Sequence, residues 1–206
     1  MNALKDEDYE AWLVDLDGTL YWAPGVKLAM GLELALFGLS KIKRLRRFRH
    51  EHEALRAAGP AAALGDPFQL QLQSAAHALE LEPAILEQDI RSWMIERPAR
   101  YLSWFKRKEL LTRIRRFRAK GGRTALVSDY PATRKLEALG ASDLFEVIVA
   151  SGEPFGPKRL KPDPSGYLTA ASKLGVEPAR CLVLGDRQDA DGLAAQAAGM
   201  TFRKIP

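Results

Sequence analysis

The stretch "AWLVDLDGTLYW", residues 11–22, decides how the rest of the sequence is interpreted. Its first four residues are apolar, and two carboxylates, Asp15 and Asp17, follow them almost at once. A carboxylate at the end of a buried strand costs free energy unless a cation meets it. Two of them, two residues apart, therefore indicate either a bound metal ion or a shared chemical task.

The composition is that of a folded protein. The chain has 206 residues, of which 47% are hydrophobic and 28% charged, as expected for one domain or for a core domain with an insert. The net charge of +5 suits an anionic partner or substrate without identifying one. A single cysteine, Cys181, rules out a disulfide within the chain and favours a reducing compartment. Residues 1–10 lack the pattern of a secretory signal, and no apolar run reaches the ~18 residues of a membrane span. We therefore expect a cytoplasmic protein.

Short apolar runs alternate with helical patterns along most of the chain. The runs predict strands at 11–16, 123–128, 144–150, 180–185 and 200–205. The helical patterns cover 106–120, 132–139, 164–174 and 190–198, and each stops at a glycine, a common signal for the end of a helix. Brief apolar strands are typical of a sheet covered on both faces. The alternation therefore predicts an α/β fold with a parallel sheet and helices on both sides.

The span from about 22 to 105 breaks this alternation, because it contains no convincing strand. Its periodicity predicts helices at 26–57, 67–81 and 83–96. Asp66 before Pro67 is a favourable helix start, with a capping residue followed by proline at the first position. Gly31 and Gly38 weaken the first helix and leave open whether it is one helix or two. We interpret the span as a helical insert between the first strand and the rest of the sheet.

Polar residues follow the predicted strands, at the edge where an open parallel sheet binds its ligands. Asp15, Asp17, Gly18 and Thr19 follow the first strand. The polar residues that lie beyond the later strands are Ser128, Asp129, Lys158, Lys161, Asp186, Asp189 and Asp191. Clustered carboxylates suit a hard cation such as Mg²⁺, while a lysine and a hydroxyl suit the oxygens of a phosphoryl group.

These residues also carry a family resemblance. The segments "DLDGTL" at 15–20, Ser128 after a strand, "LKPDP" at 160–164 and "LGDRQDAD" at 184–191 resemble, in order, the four motifs of the haloacid dehalogenase-like hydrolase superfamily. The resemblance covers about 1–20 and 106–206. It implies a Rossmann-like core domain, 1–21 and 106–206, and a helical cap domain, 22–105. None of the residues of this cap matches a family motif.

The resemblance implies a role for each motif residue. Asp15 would be the nucleophile that attacks phosphorus, and Asp17 would protonate the leaving alcohol and then deprotonate the hydrolytic water. Ser128, Lys161 and Thr19 would bind the substrate, with Lys161 preferred to Lys158. The expected magnesium-binding residues are Asp15, Asp17 through its backbone carbonyl, Asp186 and Asp191. Asp191 would contribute by fixing either Lys161 or a metal-bound water. Asp189 is expected to be a surface acid.

Two positions bear on the reaction, and the second of them departs from the usual pattern of the family. The superfamily's dehalogenases typically lack an acid at the position of Asp17, because halide departure needs no proton, so an acid here favours phosphate esters. Asp129 stands where the family often has asparagine, and it adds negative charge beside the expected phosphate site. Tyr21 and Trp22 follow the nucleophile, and the sequence does not decide whether they line the entrance.

The resemblance predicts a Mg²⁺-dependent phosphatase acting on a small phosphorylated metabolite. One alternative is a phosphomutase, which would return the phosphoryl group to a sugar. The other is a binding protein that uses the basic run "KIKRLRRFR" at 41–49 on an anionic surface. The simpler interpretation of that run is a helix with Ile42, Leu45 and Phe48 directed inward. On this interpretation no nucleic-acid partner and no membrane contact are expected, while the oligomeric state stays open.

Overall fold

A computed structural model describes residues 8–206. Its centre is a five-stranded parallel sheet in the order β3-β2-β1-β4-β5. The strands are β1 (Ala11–Val14), β2 (Arg123–Ser128), β3 (Val147–Ala150), β4 (Cys181–Gly185) and β5 (Thr201–Lys204). All five fall within the predicted runs. The third strand begins later than predicted because Ser142–Leu144 form a 3-10 turn before it.

Four helices connect these strands: α6 (Lys108–Ala119), α7 (Thr133–Leu139), α8 (Ser165–Leu174) and α9 (Leu193–Ala197). Successive side chains of a strand point to opposite faces of the sheet. Trp12 and Val14 accordingly join one hydrophobic cluster with α6 and α7, while Ala11 and Leu13 join another with α8 and α9. The predicted sheet with helices on both faces is confirmed.

Five helices lie between β1 and α6: α1 (Ala23–Phe37), α2 (Ile42–Ala58), α3 (Pro67–Ala78), α4 (Pro83–Arg91) and α5 (Arg97–Phe105). The predicted helix at 26–57 is two helices, which separate at Gly38. The predicted helix at 83–96 continues further, because a π-helical turn, Ser92–Glu96, joins α4 to α5. As predicted, residues 22–105 contribute no strand to the sheet.

The predicted helix start at Asp66 has a function in tertiary packing as well. Asp66 Oδ1 accepts from the backbone N of Phe68 at 3.0 Å, which caps α3. The same carboxylate accepts from Ser151 Oγ and from the backbone N of Gly152, both at 2.9 Å, just beyond β3. The capping residue therefore also ties the helical segment to the sheet.

The chain leaves and re-enters the sheet region at one place. Tyr21 and Lys106 form an isolated antiparallel bridge. Beside it, Trp22 N donates to Phe105 O and Arg107 N donates to Leu20 O, each at 2.9 Å. The two connections to the helical segment therefore run side by side.

In the part of the chain from 8 to 206, no helix is both long and apolar enough to cross a membrane.

Candidate active site

The register of the sheet brings the predicted site residues to one edge. Val14 of β1 is paired with Leu126 of β2 on one side and with Leu184 of β4 on the other. Asp15 therefore lies between the ends of its two neighbours. Ser128 ends β2 and Asp186 follows β4, so both belong to this edge.

Lys161 lies at the centre of the site. It is buried, and its Nζ donates to Asp15 Oδ1 at 2.6 Å, to Asp191 Oδ1 at 2.7 Å and to the carbonyl of Val127 at 3.2 Å. These three contacts use all of the donors of an ammonium group. Lys161 can therefore contact a phosphoryl oxygen only by giving up one of them.

Asp191 is held by protein donors on both of its oxygens. Besides Lys161, Tyr167 Oη donates to Oδ1 at 2.8 Å, and the backbone N of Arg187 donates to Oδ2 at 3.2 Å. Of the two roles expected for Asp191, these contacts favour the positioning of Lys161. Asp189, in contrast, is exposed and pairs with Arg187 at 2.6 Å.

Three carboxylates meet at this edge, and they suit a divalent cation. Ligand atoms of Asp15, Asp186 and Asp191 all lie within 4.8 Å of one another. An octahedral Mg²⁺ site with bonds of about 2.1 Å separates its ligand atoms by about 3–4 Å. The donors are all oxygens, and Lys161 balances only one of the three carboxylates when all are ionised. The residues present therefore fit Mg²⁺ in both chemistry and charge.

Without a bound cation, burial and mutual repulsion shift the pKa values of the carboxylates at this edge. Burial raises the pKa of Asp15 from 3.8 to about 8, because Lys161 offsets the loss of solvent only in part and Asp191 adds repulsion. Burial and the charge of Asp191 also raise the pKa of Asp186. Burial disfavours the charged form of Lys161, but Asp15, Tyr167 and Asp191 outweigh it and hold its pKa well above 10.5.

Asp17 occupies a separate environment that the sequence did not predict. The strand ends at Val14, and Asp17 is already in a turn. Its oxygens accept from Lys135 Nζ at 2.6 and 2.8 Å and from Tyr21 Oη at 2.5 Å. Burial alone would raise the pKa of Asp17, but the charge and hydrogen bonds of Lys135, with the hydrogen bond of Tyr21, bring it below 3.8.

Lys135 was missed because its signal is weak. It lies on α7, within the predicted helix 132–139, beside the apolar positions Leu136 and Leu139. Its side chain is buried together with them. A single lysine next to a buried helix face usually reaches solvent through its long stem, so only its tertiary contact with Asp17 distinguishes it.

Two predicted substrate-binding hydroxyls are buried at this edge. Thr19 Oγ1 donates to Asp15 Oδ2 at 2.8 Å, so its contact is with the expected nucleophile. Ser128 Oγ accepts from the backbone N of Tyr130 at 3.2 Å. This bond leaves the Ser128 proton available to an incoming acceptor. Together Thr19 and Lys161 fix both oxygens of Asp15.

The negative charge of Asp129 is matched by an arginine from the helical segment. Arg56 of α2 donates from Nη2 to Asp129 Oδ2 at 3.0 Å and from Nε to the carbonyl of Lys161 at 3.1 Å. Asp129 Oδ1 accepts from the backbone N of Lys161 at 3.2 Å. The unusual acid after Ser128 therefore joins the loops at the site to α2. The sequence did not indicate this pairing, because 73 residues separate Arg56 from Asp129.

Both the backbone conformation and the close approach of Asp186 require glycine at position 18. Its φ of +96° is unfavourable for any residue with a Cβ, and a Cβ placed there would lie 2.3 Å from Asp186 Oδ2. Gly121 is a matched control, because its φ is +90° and nothing lies within 4 Å of its hypothetical Cβ. We expect Gly121→Ala to lower the free energy of unfolding by about 1 kcal/mol through backbone strain alone. Gly18→Ala should cost about 2–4 kcal/mol, since the clash is added.

Urea unfolding of both variants measures this difference. An equal loss for the two would contradict the close approach of Gly18 to Asp186.

Comparison with known proteins places this arrangement in a family. The model of the haloacid dehalogenase-like hydrolase family matches residues 9–199. The chain is 40% identical over 93 residues to validoxylamine A 7'-phosphate phosphatase of Streptomyces hygroscopicus subsp. limoneus, a match that covers 45% of this chain and 41% of that enzyme. It is 44% identical over 71 residues to phosphoglycolate phosphatase of Thiobacillus denitrificans, covering 34% and 30%. The chain thus matches less than half of the length of these relatives.

Solved structures show the same fold at low sequence identity. L-2-haloacid dehalogenase from Xanthobacter autotrophicus superposes with a TM-score of 0.65 at 16% identity, over 96% of this chain and 77% of that one. β-Phosphoglucomutase from Clostridium difficile gives 0.62 at 20% identity, over 96% and 85%. The family match spans nearly all of the described residues, and the chain belongs to the haloacid dehalogenase-like hydrolases.

Proposed function

We propose that this protein is a Mg²⁺-dependent phosphatase that hydrolyses a small phosphomonoester through an aspartyl-phosphate. The observation that carries the proposal is the position of Asp15. Its carboxylate is buried at the end of β1, fixed by Thr19 and Lys161, and within 4.8 Å of ligand atoms on Asp186 and Asp191. A fixed carboxylate beside a cation site is suited to attack on phosphorus.

In the first step, an oxygen of Asp15 attacks phosphorus and the bond from phosphorus to the ester oxygen breaks. Lys161, after exchanging one of its protein contacts, and Ser128 stabilise the phosphoryl oxygens. The departing alkoxide needs a proton, which Asp17 supplies. Lys135 keeps Asp17 ionised in the free protein. Asp17 takes up a proton from solvent when substrate binds, because the negative charge of the phosphate raises the pKa of Asp17.

In the second step, water attacks the phosphorus of the aspartyl-phosphate. Asp17 accepts a proton from that water, and the bond between phosphorus and Asp15 breaks to release inorganic phosphate. The ionised state in which Lys135 and Tyr21 hold Asp17 is the state that a general base needs.

The Mg²⁺ ion would be held by Asp15, Asp186 and the backbone carbonyl of Asp17, with Asp191 holding Lys161 in place. When bound, it supplies positive charge that offsets repulsion between Asp15 and an anionic substrate.

We propose further that the segment 22–105 is a cap over a core domain formed by the remaining residues. The antiparallel connections at Tyr21 and Lys106 support this division, because two crossings of the chain at one place can act as a hinge. The contacts of Arg56 support it too, since they reach from α2 to the loops at the strand ends. A cap in this position would select the leaving group. The buried single cysteine is consistent with a reducing, cytoplasmic setting.

The test is release of inorganic phosphate from p-nitrophenyl phosphate, and then from a panel of phosphorylated metabolites, with Mg²⁺ and with EDTA. We expect turnover only with Mg²⁺ and a strong reduction in Asp17→Asn. Phosphate transferred to a sugar, without release, would instead identify a mutase. No turnover of any phosphomonoester with Mg²⁺ would refute the proposal.

Lys135→Met tests the environment of Asp17. Without the ammonium group, Asp17 keeps only the hydrogen bond from Tyr21 and loses its fixed orientation. We expect kcat on an alkyl phosphate to fall by about 10–100-fold, less than the ~10²–10⁴-fold contribution of general acid–base catalysis, because Asp17 itself is still present. Lys158→Met is the control, because Lys158 is exposed and its loss should leave kcat unchanged. A normal kcat for Lys135→Met in steady-state assays would show that Lys135 does not position Asp17.

A further inference from the structure

Helix α1 exposes an apolar surface that the proposed function does not use. Leu28, Leu32 and Leu36 follow one another at intervals of four residues and share one face of the helix. Their exposed fractions are 69%, 62% and 73%. The opposite face is apolar as well, and Val26 is buried against the rest of the protein. A helix that is apolar on both sides normally has both sides covered.

We name this surface the α1 stripe (Leu28, Leu32 and Leu36). The exposed charged residues that flank it along the chain are cationic. Lys27 is exposed at the start of the stripe, and Lys43 and Arg46 are exposed on α2 after its end. Within residues 8–206, Lys43 and Arg46 form no ion pair. The one acid of α1, Glu33, is buried, and it pairs with Arg97 and accepts from Tyr101 Oη at 3.1 Å on another side of the helix.

This pattern of charge argues against a second copy of the chain as the occupant. In a twofold interface made by the α1 stripe, the lysines and arginine at its ends would face the same cations of the other copy. No exposed acid of α1 could compensate them. An anionic surface that accepts apolar side chains, in contrast, would match both the stripe and the cations that flank it along the chain.

We propose that the α1 stripe and the cations of α2 bind the surface of an anionic membrane. An interfacial helix buries its apolar face at the headgroup boundary while its basic residues contact anionic lipids. The 15 residues of α1 extend over about 22 Å, too short for the ~30 Å hydrocarbon core, so the helix lies along the surface. This proposal differs from the expectation, based on sequence, that membrane contact is absent, because the leucines of α1 are exposed.

This inference does not rest on the proposed catalytic activity. The residues of the α1 stripe make none of the contacts described at Asp15, Asp17 or Lys161. Substitutions in the stripe should therefore leave turnover of a soluble substrate such as p-nitrophenyl phosphate unchanged. Binding and catalysis can then succeed or fail separately.

The test is flotation of the full chain with vesicles of phosphatidylcholine alone and of phosphatidylcholine mixed with phosphatidylglycerol. We expect binding to the mixed vesicles only, and weaker binding as salt is raised. The triple variant Leu28→Ser, Leu32→Ser, Leu36→Ser should bind at least about tenfold more weakly, because each leucine contributes through the apolar area it buries. These side chains are exposed, so the circular dichroism spectrum and thermal unfolding of the variant should match those of the wild type.

A pair of charge variants with equal net charge isolates the role of α2. Lys43→Gln with Arg46→Gln should weaken binding to the mixed vesicles by about thirtyfold, given about 1 kcal/mol for each of the two cations at an anionic surface. Arg115→Gln with Arg116→Gln removes the same charge from the exposed side of α6 and should change binding by less than about twofold.

Three outcomes of the flotation experiments would overturn the proposal. The wild-type protein does not float with the mixed vesicles, the leucine variant floats as well as the wild type, or the two charge variants lose binding equally. A wild-type dimer that the leucine substitutions dissociate, measured by sedimentation equilibrium without lipid, would also overturn it by identifying the stripe as a self-association surface.

Discussion

Asp15→Asn should abolish phosphate release from p-nitrophenyl phosphate, with kcat falling by at least about 10⁴-fold. The amide of asparagine is nearly the same size as the carboxylate, and its oxygen can still accept from Lys161 while its NH₂ group donates to Thr19 Oγ1, but it is a poor nucleophile toward phosphorus. No aspartyl-phosphate should form. We would measure steady-state turnover with Mg²⁺ and look for a phosphorylated protein intermediate by mass spectrometry after acid quenching of wild type and variant.

The same substitution should not unfold the protein. Because the pKa of Asp15 is raised to about 8 in the folded state, its ionised form is disfavoured by folding near neutral pH. A neutral asparagine removes that cost, and Lys161 keeps Asp191 as a partner. We therefore expect the free energy of unfolding in EDTA to be equal to or higher than that of the wild type.

Asp189→Asn is the matched control for Asp15→Asn. Asp189 follows the same sheet edge, but it is exposed and pairs only with Arg187 among the contacts described above. Its replacement should leave kcat within about twofold, as is usual for a surface site away from special features. Residual turnover of Asp15→Asn near that of the wild type would rule out Asp15 as the nucleophile.

Lys161→Met should produce the largest loss of stability of any single change at the site. It leaves Asp15 and Asp191 buried without their common ammonium partner. Removal of one member of a buried ion pair costs about 3–5 kcal/mol, because the remaining charge stays desolvated and unpaired. Urea unfolding in EDTA should show a loss of this size, and turnover should fall with it.

Mg²⁺ provides a further test with Lys161→Met. A cation held by Asp15 and Asp186, close to Asp191, would replace part of the lost positive charge, so added Mg²⁺ should restore part of the stability of the variant. The exposed Lys158→Met should unfold like the wild type under both conditions. If Lys161→Met were as stable as the wild type in EDTA, the central place of Lys161 in the site would be wrong.

The core of this protein could be predicted from the sequence because its signals are local. A short apolar run bounded by turn residues identified each strand, and a glycine after the last turn identified the end of each helix in the core. Acids and a hydroxyl directly after such runs had to meet at one edge, since parallel strands end there together. Asp15, Ser128 and Asp186 were found in this way, and Lys161 and Asp191 through their motifs.

The pairing of charges could not be predicted, because it depends on groups that are distant in sequence. Lys135 lies 118 residues from Asp17, and Arg56 lies 105 residues from the carbonyl of Lys161. Neither residue stands in a recognisable motif. Their contacts arise only when α7 packs beside the turn after β1 and α2 lies against the strand ends.

The exposure of α1 was equally hidden. An apolar segment such as residues 28–39 can be a buried helix or a surface one, and periodicity alone does not distinguish the two cases.

The sequence by itself determined the parallel sheet, the order of its motifs and the set of acids at its edge, because each depends on residues close together in the chain. Only the tertiary structure decided that Asp17 is held by Lys135, that Arg56 compensates Asp129, and that the leucines of α1 face solvent. Those properties depend on which helix faces lie against one another, and the free energy of that packing is a sum over contacts between distant parts of the chain.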